Sequence, residues 1–346
     1  MLRRILLSTL VLSSFCSQAA VINLNFNQSQ FTGVQGASAQ SAFVEAASYW
    51  ENTLQDNVIL NFDVNYTQLQ QGVIGSTSSN RSYIDYTAVG GALANDAKGA
   101  LDQTAVSSLN CSVVNNACEL PFMEDVNGVG VVDNDSTADN RIIALTNANA
   151  KALGFVVNDP VDATITFNSD FAFDYDRSNG IQSNQMDFIG ITIHEIGHAL
   201  GFVSGVDVVD NNPGLNLDPF SYISTLDLFR YSAESTLAGV IDMRTGGDSF
   251  FSIDGGLTNI VDLSTGRDEG DGQQASHFKD NIGAGILDPT FSFGELGQVS
   301  QFDLFAFDVI GWDLQELNSP IGVSEPYVPA LLVTGLALLF FSRRRA

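Results

Sequence analysis

Apolar residues in 38–54 recur at intervals of three and four: Phe43, Ala46, Ala47, Trp50 and Leu54 make one stripe. Positions three and four apart share a helix face, so this spacing predicts an amphipathic helix. The period then changes. In 57–66, Val58, Leu60, Phe62 and Val64 alternate with other residues, which predicts a half-buried strand. Residues 161–167 alternate in the same way through Val161, Ala163, Ile165 and Phe167. Weaker patterns predict strands at 82–86 and 141–145, an Ala-rich helix over 87–101, and a helix or turn over 147–153. Residues 184–200 predict a helix that is largely apolar from Met186 to Ile193 and therefore buried. Gly201 suits its left-handed C-terminus. The stretch 205–275 is rich in Asp, Gly and Asn, and only 226–231 (LDLFRY) reads as packed. A closing helix is expected at 301–310, before Gly311-Trp312. No repeat of solenoid type is evident. The mixture predicts an α+β fold with a mixed sheet.

The chain ends differ from the middle. Arg3 and Arg4, an apolar run over 5–15 and Ser17-Gln18-Ala19 read as a secretion signal over 1–20, too short for a membrane span. Residues 324–346 combine Glu325-Pro326, an apolar run over 328–341 and the terminal arginines 343–345. Taken alone, they read as a membrane anchor with its arginines on the cytoplasmic side. The expected division is signal 1–20, one large domain 21–318, and linker and tail 319–346. Forty acidic and 14 basic residues give a net charge of −26. Five of the arginines lie at the ends, so the middle is more acidic still. Phosphate backbones require basic patches, so nucleic acid is excluded as a partner. An extracellular protein kept in solution by its charge fits. Removing the signal removes Cys16 and leaves Cys111 and Cys118 in CSVVNNAC. An even pair closing a short loop in a secreted chain reads as a disulfide.

The candidate chemistry sits in the buried helix. Residues 194–202 read HEIGHALGF, and the chain has three histidines in all. His194 and His198 lie one helical turn apart on one face, so both imidazoles can grip one metal ion. Glu195 can reach a water bound to that ion. This is the minimal apparatus of a zinc peptidase. The metal lowers the pKa of its water, and Glu195 serves as general base. A catalytic zinc takes three protein ligands. The commonest spacing would put the third at Ser204, a poor ligand. His277, in Ala275-Ser276-His277-Phe278, is the best candidate, with Asp207 and Glu234 as rivals. Tyr222, Tyr231 and Tyr327 are open choices for a second oxyanion donor. The acidic runs 125–135 and 268–271 make Ca²⁺ a second candidate cofactor. They lack EF-hand spacing, and solvated loops are the plainer reading.

These motifs carry a resemblance. HEIGHALGF followed by a distant histidine resembles the leishmanolysin-like branch of the metzincins, in which an insertion separates the zinc helix from the third histidine. Here 79 positions separate His198 from His277. The resemblance implies a zincin catalytic domain with an active-site helix, a C-terminal helix, and an edge strand over the cleft that pairs with extended substrate. The order of elements makes 161–167 that edge strand. It also implies a methionine-bearing turn under the metal, where this chain has Leu287. The tail resembles the PEP-CTERM sorting signal of Gram-negative bacteria, with Ser324-Glu325-Pro326 standing where Pro-Glu-Pro would be. That implies an exosortase-type processing partner, transient inner-membrane anchoring through the C-terminal helix, and a destination in the cell envelope or extracellular matrix. The function implied is a secreted zinc endopeptidase acting on protein or peptide substrates. The competing class is a non-enzymatic matrix or adhesion protein on the same scaffold. Glu195 counts against it, because binding alone needs no proton acceptor.

Overall fold

The sheet that carries the site is built from both periodic segments, from 21–26, where Ile22, Leu24 and Phe26 also alternate, and from 75–79, which has no apolar residue. In the computed structural model, residues 19–115 and 117–315 are described. The expectations for 1–18 (Cys16 included), for the linker and tail 319–346, and for Ser324, Glu325, Pro326 and Tyr327 lie outside the described residues. In chain order, β1 (Val21–Phe26) leads into α1 (Gly33–Thr53), β2 (Ile59–Thr67) and β3 (Gly75–Ser79). The strand order is β1-β2-β10-β3, where β10 is Ala163–Asn168. β1, β2 and β10 are parallel, and β3 is antiparallel to β10. The architecture is mixed α+β with several further small sheets.

The expected edge strand is therefore corrected. The alternating segment near 161–167 is an inner strand, bonded on both sides. The edge is β3, whose sequence GSTSS has no apolar residue to register as a strand. Alternation marks a strand with one face in the core, and β10 buries Ala163, Ile165 and Phe167. An edge strand on a cleft rim needs no such face.

Between β3 and β10 the chain forms smaller pairs. β4 (Arg81–Asp85) pairs antiparallel with β9 (Ile142–Thr146). The single Ala-rich helix expected over 87–101 is two, α2 (Tyr86–Asp96) and α3 (Ala100–Ser107). The break falls at Gly99, a poor helix former, and the Asp102 carboxylate accepts the Lys98 and Gly99 amides there, at 3.2 and 3.0 Å. Cys111 and Cys118 form a disulfide. It closes the hairpin of β5 (Ser112–Val114) and β6 (Ala117–Glu119). The acidic run near 125–135 is largely the hairpin of β7 (Phe122–Asp125) and β8 (Gly130–Asp133), not an open loop. α4 (Asn147–Ala152) precedes β10.

The core lies where α1 and the buried helix α5 (Phe188–Leu200) cover the sheet. Phe43 of α1 packs edge-on against Phe167 of β10 and Phe188 of α5, with ring centroids 5.1 and 5.5 Å apart. Each such fully buried ring contributes roughly 1.5–3 kcal/mol. After α5 come α6 (Val206–Asn211), α7 (Ala233–Ala238) and α8 (Gln301–Val309). Among the described residues, no helix is long and apolar enough to cross a membrane.

Candidate metal centre

α5 is fixed at both ends and from the side. It begins at Phe188, later than the expected 184, because Met186–Asp187 instead pairs with Phe173–Asp174 as a short strand. Asp187 caps the helix, accepting the Gly190 amide at 2.9 Å, and receives Arg177 at 2.6 Å. The chain has two tryptophans, and both donate to α5 carbonyls. Trp50 Nε1 reaches Ile193 at 3.0 Å, and Trp312 Nε1 reaches Leu200 at 2.9 Å. The second bond satisfies a carbonyl that helix termination would otherwise strand. Gly201, at φ 125°, reverses the chain where a side chain would be strained. The Phe202 carbonyl thereby returns to His198.

His194, His198 and His277 come together. Their Nε2 atoms lie 3.0 Å (194–198), 3.1 Å (198–277) and 3.3 Å (194–277) apart. Each Nδ1 faces a backbone carbonyl: Ile286 at 2.7 Å from His194, Phe202 at 2.7 Å from His198, and Gln274 at 3.1 Å from His277. A carbonyl oxygen can only accept, so each Nδ1 carries the proton of a neutral imidazole. Three Nε2 lone pairs then point at one another. Burial disfavours relief by protonation, since it lowers the pKa of all three, that of His194 to about 3. A cation between them does. Zinc bonds of about 2.0–2.1 Å in a tetrahedron place donor atoms about 3.3 Å apart. The donor set fits zinc, with every ring oriented by a carbonyl behind it.

The two rivals for third ligand do other work. Asp207 on α6 accepts the Ala275 amide at 2.7 Å, the Ser276 amide at 3.2 Å, and the Ser276 hydroxyl. It holds the segment that presents His277 and is a positioning residue. Glu234 on α7 is exposed and pairs with Arg244. Ser204 ties the two halves of the site, its amide donating to the Ser276 hydroxyl oxygen at 2.8 Å and its hydroxyl donating to buried Asp227 at 2.5 Å. Asp227 also accepts the Gly205 and Ser224 amides at 2.7 and 2.8 Å. On the other side, Asp303 of α8 accepts the Ile286 and Leu287 amides at 2.9 and 3.0 Å. This bracing sets the Ile286 carbonyl against His194. Leu287 is fully buried against Gly197 of α5, between the two motif histidines. A Cβ on Gly197 would come within 3.3 Å of it, so the glycine permits the contact.

Sequence reasoning did not find Thr77, Gly75, Asp303, Asp227 or Arg81. Asp303 had a signal, since Ser300-x-x-Asp303 is a capping box and both of its bonds form. The others lie on segments without period. Thr77 of β3 shares its hydroxyl between the Glu195 carbonyl at 2.9 Å and Glu195 Oε2 at 2.7 Å. Gly75 passes so close that a Cβ there would lie 2.6 Å from Glu195 Oε1. Burial pushes the Glu195 carboxyl up to about 7, and the Thr77 bond opposes the shift. A cleft of about 700 Å³ runs over Glu195, His198 and His277, lined also by Gly72–Thr77, Arg81, Asp207, Arg267 and Phe291. Tyr222 and Tyr231 do not line it.

The oxygen-rich segments have separate fates. Asp133, Asp139 and Asp218 bring one carboxylate oxygen each within 4.8 Å of one another. Asp268 is spent on Arg267, and Asp271 accepts the Thr265 amide at 3.1 Å. In comparisons with known proteins, no family model, no curated protein and no solved structure matches this chain.

Proposed function

We propose that this protein is a secreted zinc-dependent endopeptidase of metzincin-like type. The observation that carries the reading is the convergence of three histidine Nε2 atoms beside a carboxylate on the floor of an open cleft. His194, His198 and His277 would hold the ion. A bound zinc supplies Lewis acidity and makes water acidic enough to react near neutral pH. The remaining work belongs to the chain. Thr77 occupies Glu195 Oε2, which leaves Oε1, beside Gly75, as the proton acceptor. Oε1 takes the proton of the attacking water and returns it to the leaving amine. β3 has a partner on one side only, so its other edge offers backbone groups to an extended peptide across the cleft. The Asp207 clamp holds the segment that carries His277, and the Asp303 clamp holds the carbonyl that orients His194.

The rest of the reading is proposed on the sequence. Residues 1–20 direct secretion. The PEP-CTERM-like tail with Ser324, Glu325 and Pro326 is inserted in the inner membrane until an exosortase-type enzyme processes it, and the domain is delivered to the envelope or extracellular matrix. The test of the activity is a casein digest. Cleavage is expected, lost with a zinc chelator and restored by Zn²⁺. Cleavage that continues in the chelator would overturn the metal role.

A further inference from the structure

The cleft has a cation that this acidic protein leaves without a carboxylate. Among the described residues, most Lys and Arg side chains sit in ion pairs. Arg81, Arg230 and Lys279 do not. Arg230 is sealed in the core and donates to the Ser264 carbonyl at 2.6 Å. Of the three, Arg81 lines the cleft. Its place follows from β3, which passes Glu195 at Gly75 and Thr77 and reaches the His198 carbonyl at Ser79, 3.5 Å from the Ser79 hydroxyl. Arg81 follows two residues later, at the start of β4. Its Nη1 donates to the Ala144 carbonyl at 3.0 Å, which anchors the guanidinium to β9. Nε and Nη2 have no protein partner among the described residues.

The nearby carboxylates are already spent. Asp227 accepts from Ser204, Gly205 and Ser224, and Asp207 accepts from Ala275 and Ser276. They act on Arg81 through space, with Tyr83, against a burial that lowers its pKa. A guanidinium stripped of part of its water and with no carboxylate in direct contact has N–H donors to offer an incoming anion, and its planar fork suits a carboxylate. The cleft is also lined by Ile74 and by Phe291, whose ring stands 5.8 Å from that of His194.

We propose that Arg81 is a specificity-determining residue that receives a carboxylate of the peptide substrate, at the end of the cleft beyond His198. The inference rests on the peptidase reading and deepens it by naming the substrate class. The carboxylate can be an acidic side chain or a free C-terminus, and the chemistry at Arg81 is the same for both. Exposed carboxylates more than about 8–10 Å away are largely screened by salt, so the opposition to an incoming anion comes from Asp207 and Asp227 nearby, and two free N–H donors on Arg81 work against it.

The test uses zinc-loaded full-length protein carrying Glu195→Gln, so that peptides bind without turnover, and reads fluorescence anisotropy. One peptide series walks a single Asp, or its isostere Asn, along a neutral amidated sequence. A second compares free with amidated C-termini. A carboxylate is expected to tighten binding about tenfold in one series, the order of a hydrogen bond to a charged group. Preference in the first series assigns an acidic side chain, and preference in the second a terminal carboxylate. Arg81→Gln is expected to bring the ratio to about one, and Arg81→Lys to keep part of it. An absent preference, or one that survives Arg81→Gln, overturns the proposal. Cleavage of the same peptides by the protein with Glu195 intact is scored separately. A preference without cleavage would sink the peptidase reading and leave this one standing, and cleavage without a preference would do the reverse.

Discussion

Replacing Glu195 with Gln is expected to leave zinc bound and to lower kcat by about 10²–10⁴-fold, the usual worth of a positioned proton acceptor. The substitution keeps the volume of a side chain that is almost fully buried. The amide oxygen can still accept from Thr77, so the bond to β3 survives. None of the three imidazoles depends on Glu195, since each is oriented by a carbonyl from elsewhere. What is lost is the acceptor at Oε1, which an amide nitrogen cannot replace. KM should therefore change little while kcat falls. Zinc content near wild type with turnover within tenfold of wild type would remove Glu195 from the chemistry.

His277→Ala is expected to empty the metal site. It removes one of three donors, and its effect should exceed the roughly 10–100-fold loss of affinity that follows from losing an outer partner. Asp207→Ala is the matched control. It loosens the segment 275–277 by removing the acceptor of two amides and a hydroxyl, yet leaves all three nitrogens in place. Excess Zn²⁺ should restore activity to Asp207→Ala and fail to restore it to His277→Ala. The opposite pattern would make Asp207 the ligand. The two variants separate roles that proximity in sequence to α5 would confuse.

That confusion shows how far the sequence can be read. α5 and its two histidines were legible because a period and a motif coincide on a single helix. His277 was legible by elimination, in a chain with three histidines. Asp207 lies a few residues past the motif and stood as a rival to His277, but only the path of 275–277 reveals what its carboxylate reaches. β10 was visible as a strand from its alternation, while its inner position was not, because the edge strand beside it carries only Gly, Ser and Thr. Arg81 could not be singled out, since a lone arginine has no period. Its meaning comes from which carboxylates around it are already engaged. Leu287 stands where the resemblance would put a methionine, and what lets it pack there is also tertiary: Gly197 leaves room for its methyl groups.

The most direct test of the central claim is X-ray absorption at the zinc edge on the purified protein, with zinc quantified in the same sample. The account predicts about one zinc per chain, three imidazole nitrogens at about 2.0–2.1 Å and one further light donor, with the imidazole count falling in His277→Ala. Substoichiometric zinc that cannot be loaded, or a first shell of two imidazoles unchanged by His277→Ala, would contradict it.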